Sequence, residues 1–204
     1  MQQDQVTPAV DRVFRAYFQY CTAFNEDSLF QLLTALHSLD DKLNAAHGRV
    51  MFKIPEYIAL KPLRNHFHHG AEIRNVVRFK SLAGTGVPSD LGQVCLISSS
   101  DARAAIDGTK EQFRAQARDA IEATFKCWGA VVDINPCVFN CAVKVFEASQ
   151  ALKIAGASAE YAQFKGQYDW ETVHGHTHYV TGTVSLHAGD ISKYAELMAS
   201  LYQS

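Results

Sequence analysis

Two apolar stripes with helical spacing in the first 46 residues commit this chain to a largely helical fold. Val10, Val13, Phe14, Tyr17, Phe18 and Cys21 recur at three- and four-residue intervals. They therefore share one face of a helix over residues 7–24. Thr7 can cap that helix, and Pro8 suits its first position. Asn25 ends it and can start the next, which runs from about Glu26 to about Ala46. Leu29, Phe30, Leu32, Leu33, Leu36, Leu39 and Leu43 form the buried face of the second helix. His47-Gly48 stops it.

The remaining chain mixes more helix with a little strand. Pro55 opens a helix through Tyr57, Ile58 and Leu60, and Pro62 either interrupts or restarts it. Gly84, Gly86, Pro88 and Gly92 form a loop. Residues 93–98 read as a short strand, and Ser98 to Asp101 as a cap. A helix is expected from about Thr109 to Val131, and another from about Pro136 to Ile154, ended by Gly156. Residues 157–170 are mixed and polar-aromatic. Residues 178–187 alternate β-branched and polar side chains and predict a second strand. Asp190 can cap a terminal helix over 191–203. The expected fold class is mainly α, a helical bundle with a small β element made from strands near 93–98 and 178–187. Residues 1–204 read as one domain, with the β part as an insertion or a C-terminal elaboration.

Composition narrows the function classes. The net charge of -2 gives no global attraction to nucleic acid or anionic membrane, so any polyanion site is local. The N-terminus lacks the basic and apolar regions of a signal peptide, and no run approaches the length of a membrane span. Cys21, Cys95, Cys127, Cys137 and Cys141 contain no CxxC pair. Reduced thiols, no structural metal and a cytoplasmic location are expected.

Side-chain chemistry concentrates in Lys61-Pro62-Leu63-Arg64-Asn65-His66-Phe67-His68-His69-Gly70. Histidine titrates near neutral pH and suits general base work. A guanidinium can hold two phosphate oxygens at once. Together these are the parts needed to cleave RNA without a metal. In a straight helix, Arg64 and His68 lie about 40° apart, whereas Arg64 and His69 diverge by about 140°. The order Arg64-Asn65-x-x-x-His69 also resembles the Arg-x4-6-His motif of HEPN (higher eukaryotes and prokaryotes nucleotide-binding) domains. Asn65 matches a residue type common after that arginine. The resemblance covers the motif and its helical setting. It implies a helical bundle and a metal-independent endoribonuclease of the toxin or antiviral-defence kind. It also implies a homodimer that joins two motifs, with an antitoxin or regulatory protein as a further partner. On it, Arg64 and His69 are catalytic and Asn65 supports them, while the helical spacing keeps His68 as a substitute. A HEPN-like dimer that binds nucleotide, RNA or protein without cutting is the alternative. No cofactor is implied.

A second cluster lies at His174, His176 and His178. On a strand, these alternate positions would share a face and could converge on a metal. Gly175-His176-Thr177-His178 is also similar to the closing motif of calcineurin-like metallophosphoesterases, but that family's upstream motifs are missing here. The plainer reading is an exposed strand. Gly84-Thr85-Gly86 is too short for a phosphate loop. Trp128 and Trp170 read as core or interface aromatics.

Overall fold

The computed structural model describes residues 5–69, 72–83, 85, 90–182 and 191–204. Its chain divides into two compact units, Met1–Tyr57 with Phe139–Tyr179, and Ile58–Val138 with Val180–Ser204. The fold is mainly helical with one small antiparallel sheet, as the apolar periodicities predict.

The first unit is built on α1 (Val6–Ala23) and α2 (Glu26–His47). Most of the two expected stripes is buried: Val10, Val13, Phe14 and Tyr17 on α1, and Leu29, Leu32, Leu33, Leu36, Leu39 and Leu43 on α2, whereas Phe18 (41% exposed) and Cys21 face solvent and Phe30 is half-buried. Asn25 caps α2 through a reciprocal box in which its side chain accepts from the Ser28 N–H at 2.9 Å. Thr7 is no cap, because α1 already begins at Val6 and no side chain bonds its start. A 3₁₀ turn (Met51–Lys53) leads to α3 (Pro55–His69), which enters the second unit at Ile58.

The second unit follows with a single turn, α4 (Ile73–Val76), and strands β1 (Arg78–Ser81) and β2 (Gln93–Ser98). Then come α5 (Ser99–Asp107), α6 (Glu111–Thr124), β3 (Lys126–Trp128) and β4 (Val131–Asp133). The helix expected to reach Val131 therefore stops at Thr124. Beyond it, Cys127, Trp128, Val131 and Val132 flank Gly129, whose φ of +74° allows a two-residue hairpin turn. The sheet order is β1-β2-β4-β3, antiparallel throughout, with Ile97 opposite Val132 and Cys127 opposite Val132. Its core face holds Leu82, Val94, Leu96 and Val131, covered by Met198 of α9 (Ile191–Gln203).

Helix α7 (Asn135–Ala151) returns the chain to the first unit at Phe139, and α8 (Ala159–His174) completes that unit. The mixed stretch after residue 157 is thus a full helix. Ser158 caps it, and Phe14, Phe146, Tyr161, Phe164 and Tyr168 pack as one aromatic group.

The second expected strand is not formed where the chain is described. Residues 178–182 have no strand pairing, and 183–187 lie outside the described residues. The Thr181 and Gly182 N–H groups donate to Asp90 Oδ2, at 2.8 and 3.2 Å. The Asp90 side chain thus satisfies the Thr181 and Gly182 N–H groups in place of a strand partner.

Candidate functional site

Helix α3 carries the histidine-rich motif and runs unbroken through Pro62. Proline removes one backbone hydrogen bond, but Ala59, Leu60, Leu63 and Phe67 bury a continuous stripe that holds the helix together. Arg64, Asn65 and His66 flank this stripe at intermediate burial, and His68 is exposed. The side chain of His69 lies outside the described residues.

Arg64 and Asn65 are in contact, with Arg64 Nη1 donating to Asn65 Oδ1 at 3.3 Å. The buried Nε of Arg64 has no acceptor, and among the described residues no carboxylate pairs with this guanidinium. A half-buried guanidinium without a carboxylate partner has the chemistry to hold an anion. His68 follows on the same flank of the helix, about 40° around from Arg64.

His66 projects from the other flank, about 160° from Arg64. Its Nε2 lies 3.7 Å from Asp101 Oδ1, with the two side chains 16% and 28% exposed. Asp101 sits in the first turn of α5, where the Asp101 N–H donates to Ser98 Oγ at 2.9 Å. Ser98 Oγ in turn donates to Asp101 Oδ2 at 2.5 Å. A cap that fixes a helix start thus also places a carboxylate beside His66. Sequence reasoning identified the cap but not this pairing, since nothing local links positions 35 residues apart.

The C-terminal histidines do not form the alternating strand that a shared metal would need. His174 ends α8, and Gly175, with φ of +70°, turns the chain away. His178 stacks on Tyr168 with ring centroids 3.6 Å apart, and its Nδ1 lies 2.8 Å from Glu171 Oε2. His174 and His176 stack instead against Trp170, which is 49% exposed rather than part of a core. Among the described residues, the group of three potential metal ligands with donor atoms within 4.8 Å of one another is His37, Asp40 and Asp41 on α2. Asp40 is buried and accepts a 2.7 Å bond from the Tyr57 hydroxyl. Burial, followed by that bond to Asp40, raises the Tyr57 pKa.

All five cysteines are free, with Cys95, Cys137 and Cys141 buried. No helix in the described residues is long and apolar enough to cross a membrane. No protein-family model matches the chain, and neither a curated protein nor a solved structure matches it.

Proposed function

We propose that the chain is a HEPN-like endoribonuclease that needs no metal. The observation that carries this reading is the half-buried Arg64 guanidinium, bonded to Asn65 and lacking a carboxylate partner, one helical turn before exposed His68. Arg64 would hold the non-bridging oxygens of the scissile phosphate, where negative charge grows in the transition state. Asn65 keeps the guanidinium oriented. A histidine from the next turn, His69 by the motif or His68 by the helical face, takes the proton of the ribose 2′-hydroxyl. The 2′ oxygen then attacks phosphorus and the 5′ oxygen leaves, taking a proton from a second histidine or from water. The products are a 2′,3′-cyclic phosphate and a 5′-hydroxyl.

The test is incubation of a mixed RNA pool with the purified protein in EDTA, beside Arg64→Ala, His68→Ala and His69→Ala. Loss of one catalytic group is expected to slow cleavage by about 100-fold or more. Cleavage by the parent leaving cyclic-phosphate ends, abolished in Arg64→Ala and in one histidine variant, is the expected result. Folded parent protein that binds RNA but never cuts it would replace the nuclease with a binding module.

A further inference from the structure

A concavity lies within the second unit, away from the Arg64 flank in the sequence and made from different elements. It encloses about 630 Å³ between α5, α6 and the β3–β4 hairpin. That volume is in the range of small-molecule sites. Its floor is apolar: Ala102, Ile106, Ile121, Phe125 and Val132, each largely removed from solvent by the fold.

The rim carries four charges in two matched sets. Arg103 and Asp107 lie one turn apart on α5, and Arg118 and Glu122 lie one turn apart on α6. Each set could close as an ordinary helical ion pair. Neither does, and among the described residues none of the four makes a hydrogen bond or ion pair. A purely anionic ligand would meet Asp107 and Glu122, and a purely cationic one would meet two guanidiniums. A ligand with both charges and an apolar body satisfies rim and floor together. An arginine takes its carboxylate through two parallel bonds, a rim carboxylate takes its ammonium, and the floor takes its side chain.

We infer that this cavity binds a small zwitterion with an apolar body, of the class of free amino acids with large apolar side chains. The inference is independent of the ribonuclease proposal and is read without RNA. Cys127 lines the cavity and is exposed, while Cys21, the other exposed thiol, belongs to the first unit. Iodoacetamide labelling followed by mass spectrometry therefore reports occupancy at Cys127 against an internal reference at Cys21.

The probes are L-tryptophan, tryptamine and indole-3-propionate, which carry both charges, the cation alone and the anion alone. L-Tryptophan at ten times its dissociation constant is expected to slow Cys127 labelling by about tenfold, leaving Cys21 unchanged. Each single-charge analogue should bind about tenfold more weakly. Arg118→Gln and Glu122→Gln, both on an exposed helix face, should each remove the preference for the zwitterion. Equal protection by all three probes would reduce the cavity to an apolar cleft and overturn the assignment. Protection best with indole-3-propionate, or no protection by any probe, would overturn it as well.

Discussion

Asp133 is a carboxylate held almost entirely out of water, at 6% exposure, by the pairing of β4 with β2. Its Oδ1 accepts from the Cys95 and Asn135 N–H groups, at 2.9 and 3.0 Å. Burial outweighs those bonds and raises its pKa to about 7. An unfolded aspartate titrates near 3.9, so between about pH 4 and pH 7 the folded chain keeps a proton that the unfolded chain releases. The Asp133 contribution to stability is therefore full below about pH 4 and falls as pH rises through 7, with a slope of up to about 1.4 kcal/mol per pH unit. Urea unfolding of Asp133→Asn and the parent at pH 5 and pH 7.5 measures this. The variant should gain on the parent at the higher pH, and an identical difference at both values would refute the shift. A second residue-scale prediction contrasts two glycines. A Cβ at Gly156 would lie 2.6 Å from Asp11 Oδ1 and 2.6 Å from the Tyr161 ring. Asp11 Oδ1 accepts from the Ala157 and Ser158 N–H groups just beyond, so it cannot retreat without breaking them. Gly156→Ala should cost about 1–3 kcal/mol by overpacking. Gly166→Ala, inside α8 with open space around it, should stabilise by about 0.5–1 kcal/mol. Thermal melts of the two variants with shifts of the same sign would contradict this reading.

At the scale of elements, the sequence was informative wherever a single helix could bury its own stripe. The limits of α2 follow from Asn25 and His47-Gly48, and its leucines are all on the buried side. Strand β2 was equally legible, because six residues bounded by turn and cap signals leave little room for anything else. Failures came where the deciding partner is distant in sequence. Residues 126–131 extend a helical pattern on paper, yet they fold into a hairpin because β2 offers β4 an open edge. Residues 178–182 alternate like a strand, but Asp90, 91 positions before Thr181, accepts from the Thr181 and Gly182 N–H groups. Helix α3 lies between these cases. Pro62 argued for a break, and a stripe of fully buried neighbours outweighs one missing hydrogen bond. The candidate site shares this division. Arg64 and Asn65 are named by the motif and His68 by helical spacing, all within one helix, whereas the approach of Asp101 to His66 depends on where a cap from another element lands.

At the scale of the whole chain, charge sets a requirement that one copy meets poorly. Nineteen basic and twenty-one acidic residues give a net charge of -2, so an RNA backbone meets no broad positive field. The cations nearest the motif in sequence are Arg74, Arg78 and Lys80, and Arg78 is already committed to the Arg74 and Val77 carbonyls and to the Tyr202 ring. In the proposed nuclease a single Arg64 guanidinium would supply one strong phosphate contact, and each further neutralised phosphate would add to affinity and to its salt dependence. Two copies presenting the motif together double both the guanidiniums and the histidines, which also gives the leaving 5′ oxygen a histidine acid. The proposed nuclease should therefore act as a homodimer, and its specific activity should depend on its own concentration. Light scattering across a dilution series, paired with initial cleavage rates on one RNA, tests this. The expected result is a rate per chain that falls as the mass falls from twice the chain mass to one. A rate per chain that stays constant while the protein becomes monomeric would place a complete site in one copy, and the second proton carrier would then have to be sought among His66, His68 and His69 of the same helix.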